Sequence, residues 1–217
     1  MGASGHRCLP SATPGKGSCE AEVVLMERCI QQFSEGLDRC PADSCVDTAV
    51  AYTRLLALDF ELVLSTSKVT ADDRAGQMMM LFGGQKRVDA LRAFLMAVKH
   101  KDCFVVVVSW KSRKIITRAL EAIGLLALVD AIYDEKALKV KGPWDSAKAS
   151  LVKELLAQLD IKDDRAVFMD GDIGSSQGMP CARLCAESKK GMKQADMEAI
   201  CALLRVPLAK PGVVKKV

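Results

Sequence analysis

The sequence lacks the ligand spacings of a zinc site. It has only two histidines, His6 and His100, and none of its nine cysteines belongs to a Cys-x-x-Cys pair. Structural zinc sites need closely spaced cysteine and histidine ligands. The cysteine count is odd and several cysteines fall in apolar runs, where a reduced thiol packs as a small hydrophobic group. We therefore predict a reducing, cytoplasmic compartment.

Long apolar runs and a strong charge of one sign are also missing. No stretch reaches the ~18 apolar residues of a transmembrane helix, so we predict no membrane partner. The net charge of +4 comes from 31 basic and 27 acidic residues, which is too balanced to favour nucleic acid as the partner. Half of the 217 residues are apolar, enough to bury the core of one domain.

Composition divides the chain into four segments. Residues 1–18 contain no acid and are rich in Gly, Ser and Pro, which favours a disordered tail, although a transit peptide for an organelle stays open. Residues 19–52 carry apolar side chains at helical spacing and are predicted to form an N-terminal helical extension. Residues 53–206 are predicted to be the main domain, and residues 207–217 a basic C-terminal tail.

Within the main domain, short apolar runs alternate with amphipathic segments. The predicted strands are residues 54–60, 103–109, 128–133, 165–170 and 182–186. The predicted helices are residues 85–98, 112–123, 146–159 and 194–205. Strands that are apolar on both faces and separated by helices indicate parallel crossovers. The predicted fold class is therefore α/β, a three-layer Rossmann-like parallel sheet, in which ligands bind beyond the carboxyl ends of the strands.

Polar side chains end three of the predicted strands. Asp59 ends the first, Ser109 the second, and Asp170 a later one, with Asp172 close behind. Each could simply cap the helix that follows. Lys148 is different, because a cation in the first turn of a helix opposes the helix dipole at a cost of ~0.3–1 kcal/mol. Locally unfavourable choices tend to mark functional sites.

Taken in order, these residues resemble the motifs of the haloacid dehalogenase superfamily. Its first motif is a strand followed by Asp-x-Asp-x-Thr/Val, and its second is a strand ending in Ser or Thr. Its third motif is a lysine, and its fourth is a strand ending in clustered acids. The matching residues here are Asp59-Phe60-Glu61-Leu62-Val63, Ser109, Lys148, and Asp170 with Asp172. The resemblance covers about residues 53 to 206. It is closest to the magnesium-dependent phosphatases with a minimal cap, because the insert of residues 65–84 is too short for a folded cap.

The resemblance implies a phosphomonoester hydrolase that works through an aspartyl phosphate. Asp59 would attack phosphorus, Ser109 would hydrogen-bond a phosphoryl oxygen, and Lys148 would neutralise charge. Glu61 stands where the family has an aspartate that acts as general acid and then as base. Glutamate is one methylene longer, so if Glu61 is a displaced acid, its replacement by aspartate would raise activity.

The resemblance also implies a Mg²⁺ ion with oxygen ligands. Asp59, the backbone carbonyl of Glu61, Asp170 and Asp172 would hold it. The loop that follows, residues 174–178, lacks the further aspartate of many family members, which weakens the predicted metal site.

Two functions stay open from the sequence. With a minimal cap, the site of a phosphatase would admit a phosphorylated small molecule or a phosphoprotein side chain. Alternatively, the chain is a catalytically impaired protein of the same fold that acts as a binding or regulatory module. The substitution at Glu61 favours the second function, and the joint presence of Asp59, Ser109 and Lys148 favours the first.

Overall fold

The structure is a computed structural model that describes four stretches, residues 51–172, 174, 178–185 and 190–207. The predicted tail of residues 1–18 lies outside these stretches. So do all but the last two residues of the predicted extension 19–52 and all but the first residue of the predicted tail 207–217. Among the described helices, none combines the length and the apolarity needed to cross a membrane.

Five parallel strands form a single sheet. They are β1 (Arg54–Leu58), β2 (Cys103–Val108), β3 (Ala131–Tyr133), β4 (Ala166–Asp170) and β5 (Ala182–Cys185). Their order is β3-β2-β1-β4-β5, so the first strand is central and lies between the second and the fourth. Parallel strands need crossover connections between them, and such connections commonly contain a helix that packs on a face of the sheet.

Helices cover both faces of this sheet. They are α1 (Ala75–Leu81), α2 (Gln85–Lys99), α3 (Arg113–Ala122), α4 (Glu135–Lys139), α5 (Ala147–Gln158) and α6 (Gln194–Leu203). Side chains alternate between the two faces along a strand. Leu56 and Leu58 of β1 therefore pack with α1, α2, α3 and α6, and Leu55 and Ala57 with α4 and α5. The predicted three-layer parallel α/β fold is confirmed.

Two of these helices were not predicted from the sequence. The insert of residues 65–84 contains the seven-residue α1, where Met78 is fully buried and Met80 is 71% exposed. The short α4 begins after Asp134, whose carboxylate accepts hydrogen bonds from the backbone N–H groups of Lys136 and Ala137. Both segments are too short to show a clear helical period in sequence.

Arg87, on α2, connects three separate segments of backbone. Its guanidinium donates hydrogen bonds to the carbonyl oxygens of Val63, Leu64 and Phe82 at 2.9, 2.7 and 2.9 Å. It also reaches the carbonyl of Met192 at 3.1 Å. Burial lowers the pKa of Arg87 to about 10. Five fixed donors suit this residue to hold several carbonyls at once.

We expect Arg87→Leu to lower the free energy of unfolding by about 3 kcal/mol, because it removes the hydrogen bonds that Arg87 donates to four partly buried carbonyls. Among these carbonyls, that of Val63 keeps a backbone donor, the N–H of Met192. Urea denaturation followed by circular dichroism measures this change. Lys86→Leu is the matched control, since Lys86 is the exposed neighbour on the same helix, and it should change stability by less than about 0.5 kcal/mol. Equal losses in the two variants would contradict the role of Arg87.

Candidate active site

Lys148 joins the carboxyl ends of two neighbouring strands. It lies in the first turn of α5, and its Nζ is 3.1 Å from Oδ2 of Asp59 and 3.0 Å from Oδ2 of Asp170. The side chains of Lys148 and Asp170 are each only 2% exposed, and that of Asp59 is 14% exposed. The unfavourable position of Lys148 in its helix is thus offset by two carboxylates.

Asp59, Lys148 and Asp170 perturb one another's pKa values. Burial raises the pKa of Asp59 to about 6; the Lys148 ammonium works against this rise and the Asp170 charge adds to it. Burial opposes the charge on Lys148, but the two carboxylates outweigh it and raise its pKa. Burial likewise opposes the charge on Asp170, and Lys148 nevertheless holds the pKa of Asp170 below its ordinary value. Perturbed pKa values of neighbouring charged groups in a pocket are typical of functional sites.

The chain turns sharply after Asp59. The N–H of Asp59 donates to the carbonyl of Met169 at 2.9 Å, which extends the pairing of β1 with β4 by one residue. Its Oδ1 accepts from the N–H of Phe60 at 2.6 Å. Two residues later Leu62 has a φ of +58°, an uncommon conformation for a residue with a branched side chain. The turn over Phe60–Leu64 therefore fixes the direction in which residue 61 leaves the strand.

Ser109 lies beside this turn, at the end of β2. It is 3% exposed, and its N–H donates to the carbonyl of Tyr133 at 2.9 Å. The residue before α3 is Ser112, so Ser109 does not cap that helix. Its Oγ accepts a long hydrogen bond from the N–H of Lys111 at 3.4 Å. The hydroxyl is thus held at the strand end rather than used in a helix cap.

The two acids of the fourth motif order their own loop. Oδ1 of Asp170 accepts from the N–H of Asp172 at 3.0 Å, and Oδ1 of Asp172 accepts from the N–H of Gly174 at 2.9 Å. Residues 175–177 of the following loop lie outside the described stretches. Beside these acids, a Cβ added to Gly171 would lie 3.6 Å from the carbonyl oxygen of Glu61. This carbonyl oxygen therefore lies close to the end of β4.

A pocket of about 390 Å³ opens at this edge of the sheet. All six residues that the sequence predicts for the site line it. Its walls are Asp59, Glu61, Leu62, Ser109, Trp110, Trp144, Lys148, Asp170, Gly171 and Asp172. The structure thus brings together side chains that are separated by up to 113 residues in the chain, while their catalytic roles stay predictions.

Two tryptophans form an apolar part of the wall. The rings of Trp110 and Trp144 are stacked, with centroids 4.4 Å apart and planes inclined by 16°. Trp110 directly follows Ser109, and Trp144 precedes Lys148 by four residues. One side of the pocket is therefore aromatic, whereas the floor is charged.

The oxygen donors at this edge fit Mg²⁺ by their chemistry. No group of three or more histidine, cysteine or acidic side chains converges on one point within the described stretches. However, the carboxylates of Asp59, Asp170 and Asp172 and the carbonyl of Glu61 are the hard oxygen ligands that Mg²⁺ prefers, and the ion commonly keeps several waters. The predicted Mg²⁺ site stays a prediction.

Sequence reasoning missed one ion pair of this site. Lys111 Nζ lies 3.0 Å from Oε1 of Glu61. Glu61 and Lys111 each follow a strand by three residues, and these two strands are neighbours. In their register Leu58 lies beside Val107, so Lys111 is one residue beyond the position opposite Glu61. Their contact therefore could not be predicted from strand positions alone.

Comparison with protein-family models gives no match, and neither does comparison with curated proteins. Among solved structures, the chain is similar to 3-deoxy-D-manno-octulosonate 8-phosphate phosphatase from Moraxella catarrhalis, in complex with magnesium ion, phosphate ion and KDO. The identity is 13%, over 72% of this chain and 88% of that chain, with a TM-score of 0.41.

Two further solved structures show similar values. A protein of uncharacterised function from Corynebacterium glutamicum is 17% identical over 71% of this chain and 97% of that chain, with a TM-score of 0.47. A hydrolase of the haloacid dehalogenase-like family from Streptococcus pneumoniae is 11% identical over 69% of this chain and 91% of that chain, with a TM-score of 0.40. Independently of these distant likenesses, the structure is a five-stranded parallel α/β sheet, and the residues that resemble the four motifs line one pocket beyond the carboxyl ends of its strands.

Proposed function

We propose that the protein is a Mg²⁺-dependent phosphomonoester hydrolase that forms an aspartyl phosphate on Asp59. The observation that supports this proposal most is the buried Lys148 ammonium, held between Asp59 and Asp170 on the floor of a pocket that Ser109 also lines. A buried lysine between two carboxylates places positive charge where phosphoryl oxygens would enter. Phosphoryl transfer depends mainly on such positioning and charge neutralisation.

In the first step, a carboxylate oxygen of Asp59 forms a bond to phosphorus while the bond from phosphorus to the ester oxygen breaks. Glu61 gives its proton to the leaving oxygen. Lys148 keeps the Asp59 carboxylate oriented, and the hydroxyl of Ser109 donates to a phosphoryl oxygen. In the second step, Glu61 takes a proton from water as the water oxygen attacks phosphorus, which releases phosphate and restores the Asp59 carboxylate.

The proposed metal ligands are Asp59, Asp170, Asp172 and the carbonyl of Glu61. When bound, Mg²⁺ supplies positive charge against the phosphoryl oxygens. The proposed substrate is a phosphorylated small molecule or a phosphorylated protein side chain, because the insert of residues 65–84 holds only the seven-residue α1 and contributes no residue to the pocket lining.

Turnover of p-nitrophenyl phosphate by the full chain tests this proposal. With excess MgCl₂ we expect steady release of p-nitrophenol. With EDTA we expect a loss of about 100-fold or more, because unscreened phosphoryl charge would face Asp59 and Asp170. Renewed Mg²⁺ should restore the rate. A rate that EDTA leaves unchanged contradicts the metal dependence, and no turnover with Mg²⁺ contradicts the hydrolase.

A binding module is the second candidate function, favoured by the pairing of Glu61 with Lys111, since this contact occupies the residue proposed as acid and base. In that case the full chain shows no turnover, and inorganic phosphate with Mg²⁺ still raises the midpoint of thermal unfolding. The hydrolase predicts both the turnover and the stabilisation.

A further inference from the structure

Lys111 and Glu61 contact each other across two neighbouring strand ends. Each follows its strand by three residues, and the two strands, β1 and β2, pair in parallel. The Nζ of Lys111 is 3.0 Å from Oε1 of Glu61. The backbone of Lys111 also contacts the site, because the N–H of Lys111 donates a hydrogen bond to Oγ of Ser109 at 3.4 Å.

This contact is more enclosed than an ordinary surface ion pair. The side chains of Lys111 and Glu61 are 24% and 29% exposed, and Oε1 of Glu61 itself is shielded from solvent. The distance between the two atoms is that of an ion pair, but their geometry is not that of a hydrogen bond. Oε1 has no hydrogen-bond partner in the described part of the chain. The attraction is therefore mainly between charges, and low exposure reduces its screening.

The length of Glu61 makes the position of its carboxylate depend on what the side chain contacts. Compared with aspartate, Glu61 has one more rotatable bond and a longer reach. A displacement of ~1 Å from the reacting atoms can lower a rate about 100-fold. We propose that Lys111 is a positioning residue that draws the Glu61 carboxylate toward the end of β2, a role that rests on the function proposed above. The longer side chain then stands at the distance from the leaving oxygen and the water that proton transfer requires.

A double-mutant cycle between Lys111→Met and Glu61→Gln tests this role. We expect Lys111→Met to lower kcat about 10- to 100-fold with little change in KM. In the Glu61→Gln background, the same change should cause no further loss. Lys111→Arg should restore part of the rate, since it keeps the charge. Lys114→Met is the matched control, because Lys114 is exposed three residues away, and it should leave kcat unchanged.

Glu61→Asp separates this role from that of a displaced acid. If Lys111 adapts the site to glutamate, the shorter aspartate loses its partner and kcat falls. A rise in kcat overturns the proposal, as does an equal loss from Lys111→Met in both backgrounds or no loss in either.

Thermal unfolding of the same variants adds a measurement that does not depend on turnover. If the ion pair forms in solution, the shifts of the unfolding midpoint from the two single variants do not sum to that of the double variant. Additive shifts overturn the positioning role even when the wild-type protein is active. If the proposed hydrolase function is wrong, the wild-type protein shows non-additive shifts of the unfolding midpoint but releases no phosphate. The role of Lys111 in proton transfer is then also wrong.

Discussion

Asp59→Asn is expected to abolish phosphate release, lowering kcat by about 10⁴-fold or more, because asparagine has no carboxylate to attack phosphorus. The substitution nearly preserves shape, and its side-chain oxygen can still accept the hydrogen bond from the N–H of Phe60. Lys148 keeps a partner, since its Nζ is also 3.0 Å from Asp170. The loss should therefore come from chemistry and not from unfolding.

Steady-state turnover of p-nitrophenyl phosphate measures this loss, together with circular dichroism to show that the fold persists. Asp72→Asn is the matched control, because Asp72 is exposed in the insert and does not line the pocket. It should leave kcat within about twofold of the wild-type value, as expected for a surface substitution away from a site. A folded Asp59→Asn protein that keeps measurable Mg²⁺-dependent turnover would show that another group attacks phosphorus.

The strands and their end residues could be predicted because two physical signals agree there. A run such as CFVVVV, buried at every position in β2, is both β-branched and apolar on two faces, which indicates a central strand of a parallel sheet. Once the strands are known to be parallel, Asp59, Ser109 and Asp170 must all lie at the carboxyl ends of the strands, on the same side of the sheet. Lys148 was recognisable because its helix position is unfavourable unless an acid faces it.

Other features depend on contacts that no local pattern contains. The order of the strands follows from which crossover packs best, and the position of β1 between β2 and β4 is a property of the whole core. The positive φ of Leu62 contradicts its local preference and is imposed by the turn. The contact between Lys111 and Glu61 needed the strand neighbours to be known first.

The electrostatic arrangement makes Lys148→Met the largest expected change in stability. Methionine fills a similar volume and can still pack near the Phe168 ring, which lies 5.8 Å from Nζ. It leaves the Asp59 and Asp170 carboxylates facing each other without a cation, in a place where Lys148 and Asp170 are 2% exposed. Removing one partner of a buried ion pair costs about 3–5 kcal/mol, so we expect a loss of that size in the free energy of unfolding.

Urea denaturation measures this loss, and a second substitution identifies its cause. In the double variant Lys148→Met/Asp170→Asn, only the Asp59 carboxylate is left without its cation, so a large part of the lost stability should return. Lys153→Met is the matched control, because Lys153 is exposed on the same helix α5, and it should change stability by less than about 0.5 kcal/mol. If the double variant were less stable than Lys148→Met, the destabilisation would come from lost packing around the lysine stem. The buried charges would then not be what holds this edge of the sheet together.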